Sequence, residues 1–79
     1  MKVIIYSTPT CPYCLQVKNY FESKNIDYTD IDVSSDQKSA QEMVDLSGQM
    51  GVPVIKIDDK IIIGFDKNKI DELLIKSNE

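Results

Sequence analysis

The sequence predicts a mixed α/β fold, a four-stranded sheet flanked by three helices in the order β-α-β-α-β-β-α. Three observations point there. Short runs rich in β-branched residues alternate with stretches of helical periodicity. The first strand–helix–strand set calls for a parallel pair with a right-handed crossover. The last two apolar runs are separated only by Asp58-Asp59-Lys60, room for a tight turn and hence an antiparallel hairpin. With 79 residues there is room for one small domain, 1–79.

The elements follow in order. Residues 2–7 read as a buried strand by β-branched content. From Pro12 to Lys24 the pattern turns helical: Cys14, Val17 and Phe21 share one face, with Tyr20 and Lys24 at i+3 from Val17 and Phe21. Asn25 is the expected helix stop. Tyr28-Thr29-Asp30-Ile31-Asp32-Val33 alternates with a period of two, as a half-buried strand does. Ser34 followed by Gln37 is a capping-box signature. The helix after it carries Ala40, Met43, Val44 and Ser47 on one stripe and ends at Gly48. Val54–Ile57 and Ile61–Ile63 are the third and fourth strands. The last helix starts near Asp66 or Lys67 and buries Ile70, Leu73 and Leu74.

Bulk properties exclude several functions. Nine basic and thirteen acidic residues give a net charge of −4. A nucleic-acid partner would select a basic face, and an anionic membrane surface finds no support either. Lys2 is followed by only four apolar residues, short of a secretion signal. No stretch approaches the length of a membrane span. The chain therefore reads as cytoplasmic, where a Cys-x-x-Cys is catalytic or metal-binding rather than structural. The absence of histidine rules out Cys-His and Ser-His catalytic pairs and removes the commonest zinc ligand.

The chemistry centres on Cys11-Pro12-Tyr13-Cys14, which holds the only two cysteines. One helical turn brings i and i+3 to roughly 5–6 Å, Cβ to Cβ. A disulfide needs Cα atoms about 4.4–6.8 Å apart. The bond can open and close with little backbone movement, and so short a loop staples little. Pro12 suits the first helical position, where its missing N–H costs nothing. That makes Cys11 the N-cap, its sulfur facing the free N–H groups of Tyr13 and Cys14. Those donors and the positive end of the helix favour a thiolate, the attacking species in disulfide exchange. Cys14, deeper in the first turn, keeps its proton and acts second. The rival reading is half of a zinc site, whose remaining ligands would have to be carboxylates; no metal is expected.

Val52-Pro53 opens the third strand, where proline is tolerated. An ordinary trans bond and a cis bond that exposes the Val52 backbone beside the thiols are both compatible with composition.

Together these residues carry a resemblance that covers nearly the whole chain. A strand, then Thr10-Cys11-Pro12-Tyr13-Cys14 opening a helix, then Val52-Pro53, then Gly64 and Asp66 before a final helix, resemble a small bacterial glutaredoxin. The resemblance implies a thioredoxin fold, a cis peptide at Pro53 and thiol–disulfide oxidoreductase activity with glutathione as reductant. It implies that Cys11 forms the mixed disulfide and that Tyr13 flanks it. It also implies that the Val52 backbone before Pro53 pairs with glutathione as an added strand, and that Gly64 and Asp66 complete the site, Asp66 at the γ-glutamyl amine. Gln49 is a further candidate for a glutathione carboxylate.

Four positions depart from the family pattern. Thr8 stands where many members have lysine, and Gly51 replaces the threonine usual before Val-Pro. Ile63 replaces the first of two glycines, and Lys67 replaces a second acidic residue. With the Gly64-Phe65 turn, these departures resemble the glutaredoxin-like donors of ribonucleotide reductase, which take electrons from thioredoxin reductase. A reading of a different class is a glutathione-dependent module that holds an iron–sulfur cluster between two chains. Implied partners are glutathione and disulfide proteins such as ribonucleotide reductase or methionine sulfoxide reductase, with a monomer expected.

Lesser features read as structural. Asp27, Asp30, Asp32 and Asp36 look like a solvated acidic edge. Met43 and Met50 read as core filler more than as a binding surface, with Met50 close enough to Val52 in sequence to line the site instead. Phe65 reads as an apolar residue tucked under a helix start, and Lys56 as facing solvent.

Overall fold

Side-chain alternation along the first strand, β1 (Val3–Ser7), sets the layering of the molecule. In the computed structural model, which describes residues 2–77, Val3 and Ile5 enter one apolar cluster and Ile4 and Tyr6 another. Met1, Asn78 and Glu79 of the expected domain lie outside the described residues. The remaining elements are α1 (Pro12–Ser23), β2 (Thr29–Asp32), α2 (Gln37–Ser47), β3 (Val54–Ile57), β4 (Lys60–Ile63) and α3 (Lys67–Ser77). The sheet order is β2-β1-β3-β4. β1 runs parallel to β2 and antiparallel to β3, and β3 and β4 form the antiparallel hairpin. The element order, the parallel β1–β2 pair and the β3–β4 hairpin are those the sequence predicts; the antiparallel placement of β3 beside β1 comes from the structure.

The two faces of the sheet have separate cores. Val17 and Phe21 of α1 and Ile70 and Leu74 of α3 cover Val3, Ile5, Ile55, Ile57 and Ile62. Met43 of α2 covers Tyr6 and Val54 on the other face. Tyr6 is wholly buried, and its hydroxyl donates to Glu42 Oε1 at 2.9 Å, tying β1 to α2. Phe65 packs against the first cluster, its ring tilted over Tyr20 at 5.7 Å, as an apolar residue under a helix start should. Leu73 is partly buried against the same cluster.

The helix ends show local chemistry at work. α1 closes in a Schellman arrangement: Asn25 N–H bonds Glu22 O, and Ile26 N–H bonds Phe21 O. Asn25 takes φ 57°, a left-handed value that asparagine tolerates. Gly48 ends α2 at φ 76°. The start of α2 departs from expectation. Its N-cap is Asp36, whose carboxylate accepts from Lys38 N–H at 3.1 Å and Ser39 N–H at 3.4 Å. Ser34 is captured two residues earlier, its amide and hydroxyl both donating to Asp32 Oδ1. The capping box at Ser34 is therefore not formed.

The hairpin turn is Asp58-Asp59 alone, with Lys60 already in β4 and paired with Ile57. Asp58 holds φ 54° and is anchored to the start of β1, exchanging hydrogen bonds with Lys2 at 2.8 Å in each direction.

Candidate active site

The end of β1 delivers the chain into Thr8-Pro9-Thr10, and this loop places Cys11 at the head of α1. Cys11 is the N-cap, with φ −95° and ψ 110°, and Pro12 follows at the first helical position. The Cys11 N–H donates to Thr8 O at 3.3 Å, which closes the loop. The Cys14 N–H donates to the Cys11 sulfur at 3.1 Å. A sulfur thus takes the position that a serine or aspartate oxygen holds in other helices. The positive end of α1 and this N–H both favour negative charge on that sulfur.

Cys14 differs from its neighbour in almost every respect. Cys11 is half-buried, whereas Cys14 is 1% exposed. Burial pushes the Cys14 thiol up from 9.0 to about 11, and the Cys11 sulfur adds to this. The Thr8 backbone and the Lys18 ammonium pull the other way. Both thiols are free, and their i, i+3 placement permits a disulfide.

The second wall of the site comes from the far end of the loop after α2. The Val52-Pro53 peptide is cis, as the resemblance implied, and Pro53 is buried. The Cys11 thiol points at the Val52 carbonyl oxygen, 3.9 Å away. Gly64, at φ 76°, donates its N–H to Pro53 O at 2.9 Å, so the end of β4 lies against the same wall. Asp66 caps α3, its carboxylate accepting from Lys69 N–H at 3.2 Å. Tyr13 stands 62% exposed beside Cys11 in sequence.

The structure therefore brings Cys11, Cys14, Val52 and Pro53 together, with Gly64 joined to Pro53 and Asp66 two residues beyond. Among the departures from the family pattern, Ile63 is half exposed and Lys67 pairs with Asp71 at 3.7 Å. Met50 is 80% exposed and is not core filler; only Met43 of that pair is buried. Lys56 is half-buried rather than solvent-facing. The acidic edge is also not merely solvated. Asp30 accepts from the Ser7 hydroxyl at 2.6 Å and pairs with Lys18 at 2.7 Å. No local sequence signal marks this pair, because Lys18 and Asp30 lie on different elements.

A buried thiol beneath a half-exposed one, on a helix N-terminus facing a cis-proline, defines a thiol–disulfide redox protein with a thioredoxin-like fold. Comparison with known proteins places it further. The chain matches the sequence model of the glutaredoxin family over residues 3–62, and it belongs to that family. It is 57% identical over 72 residues to an uncharacterised glutaredoxin-like 8.6 kDa protein from the rubredoxin operon of Clostridium pasteurianum, covering 91% of this chain and 96% of the relative. It is 36% identical over 64 residues to glutaredoxin 3 of Escherichia coli strain K12, covering 81% and 77% respectively. Among solved structures it resembles NrdH-redoxin of Escherichia coli, a glutaredoxin-like protein with a thioredoxin-like activity profile. That likeness has a TM-score of 0.83 at 26% identity and covers 92% of this chain and 95% of the other.

Proposed function

We propose that this chain reduces protein disulfides and glutathione mixed disulfides through Cys11 and Cys14, and that glutathione restores the dithiol. One observation carries the reading: the half-exposed Cys11 sulfur is the N-cap of α1, hydrogen-bonded by the Cys14 amide and set against the Val52 carbonyl at the cis-proline. Thiolate is favoured there, and the Val52 backbone lies beside it for an incoming disulfide.

The Cys11 thiolate attacks one sulfur of the substrate disulfide. A bond forms from Cys11 to that sulfur, and the other substrate sulfur leaves as a thiolate. Cys14 then loses its proton and attacks the Cys11 sulfur. The second substrate thiol departs, and two electrons have passed to the substrate. Two glutathione molecules reverse the Cys11–Cys14 disulfide and leave as glutathione disulfide. In this reading Tyr13, Val52, Pro53, Gly64 and Asp66 hold the glutathione unit, and the cytoplasm is the compartment that keeps the pair reduced. The family membership and the glutaredoxin 3 relative support glutathione as reductant.

A second reading replaces glutathione by thioredoxin reductase. It draws on the likeness to NrdH-redoxin and on Thr8, Gly51, Ile63 and Lys67 at family positions. NADPH consumption with a mixed-disulfide substrate separates the two. One assay supplies glutathione and glutathione reductase, and the other supplies thioredoxin reductase alone. Turnover in the first assay is the expected result; turnover confined to the second assigns the chain to the other donor class.

A further inference from the structure

The proposed chemistry requires Cys14 to give up its proton in the release step, and Cys14 is the thiol that resists doing so. Its side chain is sealed from solvent. One turn further along α1, at i+4 and so on the same face, stands Lys18. This lysine is held in place. Its Nζ lies 2.7 Å from Asp30 Oδ2, and its side chain is only 20% exposed. The other carboxylate oxygen of Asp30 accepts from the hydroxyl of Ser7, itself 2% exposed, at 2.6 Å. Three elements, α1, β2 and the end of β1, thus fix one ammonium group. Lys18 also lines a groove of about 340 Å³ together with Thr8, Cys11 and Leu15, so the charge and the Cys11 sulfur that carries the mixed disulfide share one opening to water.

A partly exposed ion pair contributes little to stability. Its position beside the dithiol calls for another account. We propose that Lys18, held by Asp30 and Ser7, is a positioning residue for the release step, its fixed ammonium favouring the Cys14 thiolate that attacks the mixed disulfide on Cys11. The inference rests on the dithiol reading above. In this step the Cys14 sulfur bonds to the Cys11 sulfur, and the bond from Cys11 to the substrate sulfur breaks. Cys14 gives up one proton and the departing substrate thiolate takes one up, so the step balances as a thiol exchanged for a thiol. Over the attack and release steps together Cys11 and Cys14 lose two electrons, and the substrate gains them.

The charged and titratable groups around the pair give the sign. Cys14 is faced by Cys11 and Lys18 from α1. Lys18 is faced by Asp30 of β2, by Tyr28 just before it, and by Cys14. The bond to Asp30 holds the Lys18 ammonium above its ordinary value, so it stays charged throughout the working range. Its charge opposes the effect of burial on Cys14. Removing it leaves only the Thr8 backbone to oppose burial, so Cys14 ionises at higher pH and release slows near neutrality.

The test is rapid mixing of the reduced full chain with the neutral disulfide of pyridinethiol, which liberates one coloured thione when Cys11 attacks and a second when Cys14 does. In Lys18→Met the second phase should slow roughly 3–10-fold near neutral pH, with its pH profile displaced upward. The first phase should hold its rate, and Lys18→Arg should restore most of the second. A second phase of unchanged rate and pH profile would overturn the proposal, and so would equal slowing of both phases. Thermal melts check that the variant folds, and Lys18→Gln replaces it if it does not. Failure of both to fold would overturn the proposal too, because the pair would then be structural. Absence of a second thione from the unsubstituted chain would defeat the dithiol reading itself, a result distinct from all of these.

Discussion

Cys14 donates its backbone N–H to the Cys11 sulfur at 3.1 Å while its own side chain is closed off from solvent. One residue thus stabilises charge on its neighbour's sulfur and withholds charge from its own. The asymmetry follows from the helix start: the N-cap sulfur meets the Cys14 amide, whereas the sulfur one turn in meets the core. Two chemically identical side chains acquire an order of action from position alone.

The reduced protein should lose stability at alkaline pH. Burial raises the Cys14 thiol from 9.0 to about 11 in the folded state. A thiol raised on folding holds its proton more tightly when folded. Its contribution is therefore complete below about pH 9 and is lost as pH rises through about 11. Thermal melts of the dithiol form across this window should show a fall in Tm that is smaller in Cys14→Ala. Equal slopes for the two proteins would mean that the thiol is not shielded. Tyr6, buried and raised from 10.0 to about 12, adds an overlapping loss that both proteins share and that the comparison cancels.

Asp36, and not Ser34, should matter for α2. The Asp36 carboxylate takes the hydrogen bonds of Lys38 and Ser39 at the helix start, whereas Ser34 bonds only Asp32. Asp36→Ala should lower Tm clearly more than Ser34→Ala. The same substitution removes a carboxylate whose bonds to Ser39 hold it below the usual range, so its effect should fade as the pH falls into the carboxylate range.

Two glycines near the site should respond oppositely to alanine. Gly64 holds φ 76° with open space where a Cβ would sit, so alanine there brings backbone strain without a clash, about 1–2 kcal/mol. Gly51 lies outside that region and would meet only the Gln49 amide, at 3.5 Å. Gly51→Ala should be neutral or stabilising by about 0.5 kcal/mol. Urea unfolding of both variants measures the contrast.

Phe21 anchors α1 on the sheet and is fully buried between Val17, Ile5 and the α3 residues Ile70 and Leu74. Phe21→Ala should cost about 3–5 kcal/mol in urea unfolding. A loss below about 1 kcal/mol would show that the core can close over the gap.

What could be read from the sequence was local. β-Branched content marked β1 and period-two alternation marked β2, whereas the faces, Ile5 and Ile55 on one and Tyr6 and Val54 on the other, follow from the pleat once the register is set. Cys11 as N-cap followed from Pro12 beside it. The cis bond at Pro53 came through the family resemblance, since nothing adjacent in sequence distinguishes it from a trans bond. Asp30 was misread because its partners are remote: Lys18 lies on another element, and Ser7 is 23 positions away. The start of α2 was misplaced because Ser34 and Asp36 are both competent caps, and Asp32 decides between them by taking Ser34. Residue type favours the core for Met50 over a place lining the site, yet the loop before the cis-proline leaves it in solvent.

The most direct test of the account is reduction of a small mixed disulfide by Cys11→Ser and Cys14→Ser side by side, with glutathione and glutathione reductase supplied. The account predicts no turnover above background for Cys11→Ser. It predicts retained turnover for Cys14→Ser, because a mixed disulfide on Cys11 can be resolved by glutathione alone. Turnover by Cys11→Ser comparable to the unsubstituted chain would contradict it.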